Sequence, residues 1–350
     1  MNRRLRSIIK YVLFFGIGVF LVWWQFHKMT PANLLKFKQA LFSAKYGLVI
    51  PVIFLALASH VSRSVRWRIL IEPLGYRPSL FNVFSSLMAG YLVNSFVTRV
   101  GEVVKCTLLT KYEKIPTEKL LGTVLFERIF DLFCYFIFIG LTILLQFRLV
   151  GDFIRSNLVD FIHSNKSTIL LIKVSVTIIV VTTLIFITRA FLKKYSGSSL
   201  VIRIRSFFAG LKEGIAAVKK MRQRRWFLFH TFFIWTMYVL QIYVGFFSLK
   251  EISHLGIEAA CSVLTLATIA MIIMPGGLGA FPKAVSWVLI LYSVEEPIGE
   301  AFGFIMWGVT TFIVLFFGLL FTGLMIYFNK RGLIKHTSPD ALASATIVKT

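Results

Sequence analysis

Residues 258–292 read EAACSVLTLATIAMIIMPGGLGAFPKAVSWVLILY, an apolar stretch interrupted near its middle by Pro275-Gly276-Gly277-Leu278-Gly279. It is longer than the roughly 20 residues that one helix needs to cross a bilayer. Proline ends a helix, and the glycines leave backbone groups bare. The stretch therefore predicts two half-length helices joined by a turn at membrane depth, tolerated there only inside protein or beside a cavity. The helix starting near Phe281 would aim its N-terminal amides at such a cavity, with Lys283 adding positive charge, an arrangement suited to an anion. The alternative is a plain helix kink. A second stretch behaves alike: residues 80–98 are apolar and run into Arg99-Val100-Gly101-Glu102.

Six further apolar runs, 8–24, 47–62, 120–147, 168–188, 226–249 and 301–328, read as full spans. Of the 350 residues, 57% are hydrophobic and only 15% charged; soluble domains carry about 25% charged residues. The basic start Asn2-Arg3-Arg4-Leu5-Arg6 leads into an apolar stretch closed by Trp23-Trp24 with no small-residue cleavage site, so it reads as a retained span. Cys106, Cys134 and Cys261 are scattered fillers. The net charge of +24 lies between apolar segments, which points to topology and anionic lipid and away from nucleic acid.

Charge also orients the chain. With the N-terminus inside and both broken stretches returning to their side of entry, 27 of the 39 Lys and Arg fall on cytoplasmic segments and 8 outside. Arg99, Arg128, Lys173 and Lys283 fall within the membrane; Lys173 is read as snorkelling. The expected fold is an all-α polytopic bundle in the cell (inner) membrane, with both termini cytoplasmic. It has about six full spans plus two oppositely oriented re-entrant helix pairs, in one transmembrane domain over 1–330. Units 47–147 and 226–328 share one element order in inverted sense, as in transporters that place a site near the midplane; their likeness is in hydropathy and spacing alone. Between the units, 189–225 reads as a basic interfacial helix on anionic head groups, with Leu200, Ile204, Phe207 and Leu211 at helical spacing. Residues 32–44 suggest a shorter helix outside, and 331–350 a disordered tail.

Ionisable groups in hydrocarbon need a partner or a purpose. In Asn94-Ser95-Phe96-Val97-Thr98-Arg99-Val100-Gly101-Glu102-Val103-Val104-Lys105, Gly101 allows a tight reversal, Ser95 and Thr98 can cap freed groups, and Arg99 and Glu102 can neutralise one another. Arginine also presents a planar donor fork suited to phosphate. The functional reading is a clamp for a lipid phosphate built from Arg99, Glu102, Lys105, Gly276, Gly277 and Gly279. The alternative is a structural ion pair. Glu127, Arg128 and Asp131 crowd one helical turn and call for a partner, with Arg99 or Lys105 the nearest candidates; a supporting charge network and a direct role in handling substrate or protons both stay open. Gly299-x-x-x-Gly303 matches the close-packing pattern. No histidine pair has metal-ligand spacing, and the sequence shows no Walker loop, nucleophile elbow or Asp-x-Asp pair. No catalytic residue, metal or cofactor is expected.

Arg66-Trp67, the Asn94 to Lys105 segment, Glu127-Arg128-x-x-Asp131 and Pro275-Gly276-Gly277-x-Gly279 occur in the order of the lysylphosphatidylglycerol synthase transmembrane (flippase-like) family, which the chain resembles over roughly 5–330. The resemblance implies a module that moves aminoacylated phosphatidylglycerol across the membrane beside a transferase domain. No such domain follows the last span here, so synthesis is not expected. Thr98 and Phe281-Pro282 stand where the family commonly has proline and an acid, which implies an anionic lipid or lipid-phosphate in preference to a cationic one. The leading expectation is a lipid transporter that uses no ATP. The alternatives are an integral-membrane enzyme of lipid modification or lipid-linked glycosyl transfer, or a membrane subunit of a separately encoded soluble transferase.

Overall fold

The computed structural model describes residues 3–97, 99–146 and 222–333. Among them are ten α-helices and no strand: α1 (Arg3–Lys28), α2 (Pro31–Ser43), α3 (Val49–Ile71), α4 (Leu80–Phe96), α5 (Val100–Glu113), α6 (Thr117–Leu145), α7 (Arg224–Phe246), α8 (Ile257–Ile273), α9 (Ala280–Ile290) and α10 (Glu296–Lys330). The all-α expectation holds. Four of the six expected spans fall on helices long and apolar enough to cross a membrane: Tyr46–Leu74, Thr117–Leu145, Arg224–Phe246 and Glu296–Lys330. Residues 8–24 lie within α1, a single 26-residue helix. The span expected at 168–188, nearly all of the interfacial helix at 189–225 and most of the tail at 331–350 lie outside the described residues.

Phe54, Phe136, Leu144, Phe232, Ile272 and Leu319 are each more than half exposed. In water such surface would cost about 25 cal/mol per Å², whereas lipid solvates it. The chain is a multi-pass membrane protein.

It divides into two compact units, Met1–Glu127 with Met221–Thr350, and Arg128–Lys220. In the first, α3 packs along α7, and α4 and α9 both pack on α10. Small residues set the close approaches. A β-carbon on Gly303 would lie 2.6 Å from the Pro282 Cα, and one on Gly299 3.0 Å from the Ser286 Cα; the Gly299-x-x-x-Gly303 pattern thus seats α9. The helix expected at 32–44 is α2, capped by Thr30, whose hydroxyl accepts from the Asn33 N–H at 3.2 Å, with Pro31 opening the helix. Its Phe37 and Ala40 are buried. In the second unit the described part belongs to the later half of α6, where Arg128 is exposed and Asp131 half-buried.

Candidate functional site

Two helical hairpins, α4–α5 and α8–α9, supply the site. In the first, the left-handed turn residue is Arg99 itself, with φ of 70°. A side chain in that conformation costs roughly 1–2 kcal/mol. Gly101, expected to permit the reversal, instead permits contact: a β-carbon there would lie 2.0 Å from the Gly90 carbonyl oxygen and 2.6 Å from the Asn94 Cγ. The two helices meet backbone to backbone at this point. The Gly101 N–H donates to Asn94 Oδ1 at 2.8 Å, satisfying one of the early amides of α5 that no intrahelical carbonyl reaches. At the hairpin's base, Glu113 Oε1 accepts from the Ser79 N–H at 3.1 Å and from Asn82 at 2.6 Å. Ser95 returns its hydroxyl to the Tyr91 carbonyl, at 3.1 Å; Thr98 lies outside the described residues.

Arg99 is exposed between exposed Phe96, Val100 and Val103, and makes no ion pair among the described residues. The expected neutralisation by Glu102 does not occur. Glu102 sits 3.3 Å from Lys105 instead, because i,i+3 places these two on one face of α5 while Arg99 precedes the helix.

At the second tip, Gly276, Gly277 and Gly279 have φ of 60°, 68° and 71°, a region that suits glycine. The loop expected to be bare is covered. Trp307 of α10 donates its indole N–H to the Gly276 carbonyl at 2.8 Å, and Gln25 of α1 donates to the Gly279 carbonyl at 2.8 Å. Gly18 and Leu21 of α1 lie against the loop, and a β-carbon on Gly276 would approach the Ser95 carbonyl oxygen to 3.1 Å. The two tips therefore touch. Lys283 is not the spare cation that the sequence suggests: it meets Glu296 at 2.5 Å and Glu300 at 2.6 Å, both from α10. Lys283 is thus already paired by two carboxylates and is not free to meet an anion alone. The acids stand 13 and 17 residues along the chain, where a search just after the loop misses them.

Behind the first tip lies a buried ion network. Arg66 is fully buried; one guanidinium nitrogen donates to Glu127 Oε1 at 2.8 Å and another to the Thr231 hydroxyl at 3.2 Å. Lys105, 3% exposed, lies 3.5 Å from Glu127 and stacks its ammonium 4.5 Å over the Trp67 ring. Trp67 in turn donates to the Thr123 hydroxyl at 3.0 Å. Charges deprived of water need this density of partners, and the network joins α3, α5, α6 and α7. Of the two partners expected for Glu127, Lys105 is present and Arg99 is not; Arg66, which entered the sequence reading only as part of a family motif, donates to it at 2.8 Å. That pairing was missed because the span was ended at residue 62, whereas α3 continues to Ile71. Gln25 was missed too, its one signal being an amide just after the Trp23-Trp24 pair. Lys105 and Lys283 play matching parts: each stands on the outgoing helix of its hairpin and meets a glutamate of the next long helix.

The family model described as Lysylphosphatidylglycerol synthase TM region matches residues 7–318. A relative named UPF0104 membrane protein MJ1595, from Methanocaldococcus jannaschii, is 24% identical over 292 residues, covering 78% of this chain and 83% of that protein. No solved structure matches.

Proposed function

Because the chain belongs to the lysylphosphatidylglycerol synthase TM region family, a membrane family connected with lipids, we propose that it binds the phosphate of a lipid head group at Arg99. It carries that lipid across the bilayer without hydrolysing ATP, and does not alter it covalently. The observation that carries this reading is Arg99 itself: an exposed guanidinium, unpaired among the described residues, held in a costly backbone conformation and ringed by apolar side chains. Strain that persists without local compensation points to function. A charge with apolar neighbours suits a ligand that is itself charged at one end and apolar at the other.

Helix lengths support the transport geometry. The hairpin helices hold 17, 14, 17 and 11 residues, about 16–26 Å at 1.5 Å per residue, against an apolar core about 30 Å thick. We read them as re-entrant hairpins, each helix shorter than the apolar core, entering from opposite leaflets with tips that touch inside it. With the carbonyls of Gly276 and Gly279 held by Trp307 and Gln25, the first amides of α9 stay available to an anion. Lys105, paired with Glu102, ties the first hairpin to Glu127 and through it to Arg66. The topology keeps both termini cytoplasmic in the inner membrane: moving buried Arg66 and Lys105 out of the cytoplasmic count leaves 25 basic residues inside against 8 outside.

Arg99→Gly tests the reading. Glycine accepts φ of 70° freely, so stability should be unchanged or higher by up to about 1 kcal/mol. Transport of a fluorescent phospholipid in proteoliposomes should be lost. Undiminished transport by that variant would refute the clamp.

A further inference from the structure

Gln25 is 5% exposed, and its amide nitrogen donates to the Gly279 carbonyl. That bond fixes the orientation of the amide, since a carbonyl accepts only from the NH₂ side. The amide oxygen is therefore the free end, and it finds no donor among the described residues. Buried acceptors are nearly always satisfied, so an orphan of this kind calls for a cause. Gly279 is also the N-cap of α9, an 11-residue helix whose cap makes no side-chain hydrogen bond. A waiting acceptor on a side chain bonded to the N-cap and the Ala280 and Phe281 amides of the helix start, Pro282 offering none, thus belong to the same tip.

We propose that they form a head-group subsite in which Gln25 sets specificity. The α9 amides face oxygens of the lipid phosphate, and Gln25 Oε1 takes a hydrogen from a donor on the same head group, a hydroxyl or an ammonium N–H. A fully methylated choline head offers no such hydrogen and is disfavoured. This rests on the reading that the hairpin tips hold a lipid head group. The head group reaches the amide when α1 lifts from the tip. Its seat there is narrow: Gly18 lies flat against Leu278, and Gly279 against the Gly18 backbone and Leu21. Lifting α1 also separates Phe26 from Phe37 and Phe304, whose rings lie 5.4 and 5.5 Å from it.

The test compares purified wild type with Gln25→Leu, and with Gln25→Met as a second variant should the first fail to fold. Thermal stabilisation is titrated with short-chain phospholipids carrying choline, ethanolamine or glycerol heads. Wild type should bind at least one donor-bearing head about tenfold more tightly than choline, the worth of one hydrogen bond. The ethanolamine and glycerol arms show whether an ammonium or a hydroxyl supplies it. In the variant that ratio should fall to about one. A ratio that survives the substitution, or no preference in wild type, would overturn the subsite and leave Gln25 a structural clasp. Transport is measured separately. Selective binding without transport sinks the transport reading alone, and transport without selectivity sinks this proposal alone.

Discussion

Gly101→Ala should open the first hairpin. The new β-carbon would stand 2.0 Å from the Gly90 carbonyl oxygen, roughly 1.2 Å inside normal carbon–oxygen contact, and the clash is with backbone, which cannot swing aside. Parting α4 and α5 by that much stretches the 2.8 Å bond between Gly101 and Asn94 beyond hydrogen-bonding range. Overpacking of about 1–3 kcal/mol and a lost hydrogen bond of about 1 kcal/mol together give about 2–4 kcal/mol. Cys106, on α5 and fully buried, reports the opening. In a background with Cys134→Ser and Cys261→Ala, leaving it the sole thiol, a thiol-reactive dye should label it roughly 30- to 700-fold faster, at about 1.4 kcal/mol per tenfold. Gly122→Ala is the control, since a β-carbon there meets nothing within 4 Å. Labelling of the Gly101→Ala variant within threefold of its parent would refute the backbone-contact account.

Two other substitutions probe the ion clusters. Glu127→Ala takes from buried Arg66 its carboxylate at 2.8 Å and leaves Lys105 with Glu102, and should lower stability in detergent by about 3 kcal/mol; thermal unfolding within a degree of wild type would contradict the network. Lys283→Met leaves buried Glu300 without its cation, so it should destabilise strongly, and adding Glu300→Gln should recover much of the loss. A double-mutant cycle that shows no coupling would remove the pair.

Much of the architecture was legible because lipid imposes it. A backbone that must satisfy its own hydrogen bonds in hydrocarbon becomes helix, so runs of apolar residues marked α3, α6, α7 and α10, and the Pro-Gly-Gly interruption marked the break between α8 and α9. The cluster at Glu127 announced itself because a carboxylate in an apolar helix needs a partner. Which partner it takes was not legible. Arg66 stands 61 residues away and Glu300 17 residues from Lys283, and sequence spacing carries no record of which helices lie side by side.

Composition and periodicity alone determined that this chain is a helical membrane protein with two short interrupted stretches and an arginine at the end of one, since solvent and local backbone chemistry act residue by residue. Only the tertiary structure decided that Arg99, and not Gly101, takes the left-handed turn, that α1 and Trp307 cover the glycine loop, and that Lys105 and Lys283 are already matched by carboxylates. Those outcomes depend on close contact between helices distant in sequence, where a single β-carbon or a single buried charge determines which packing is possible.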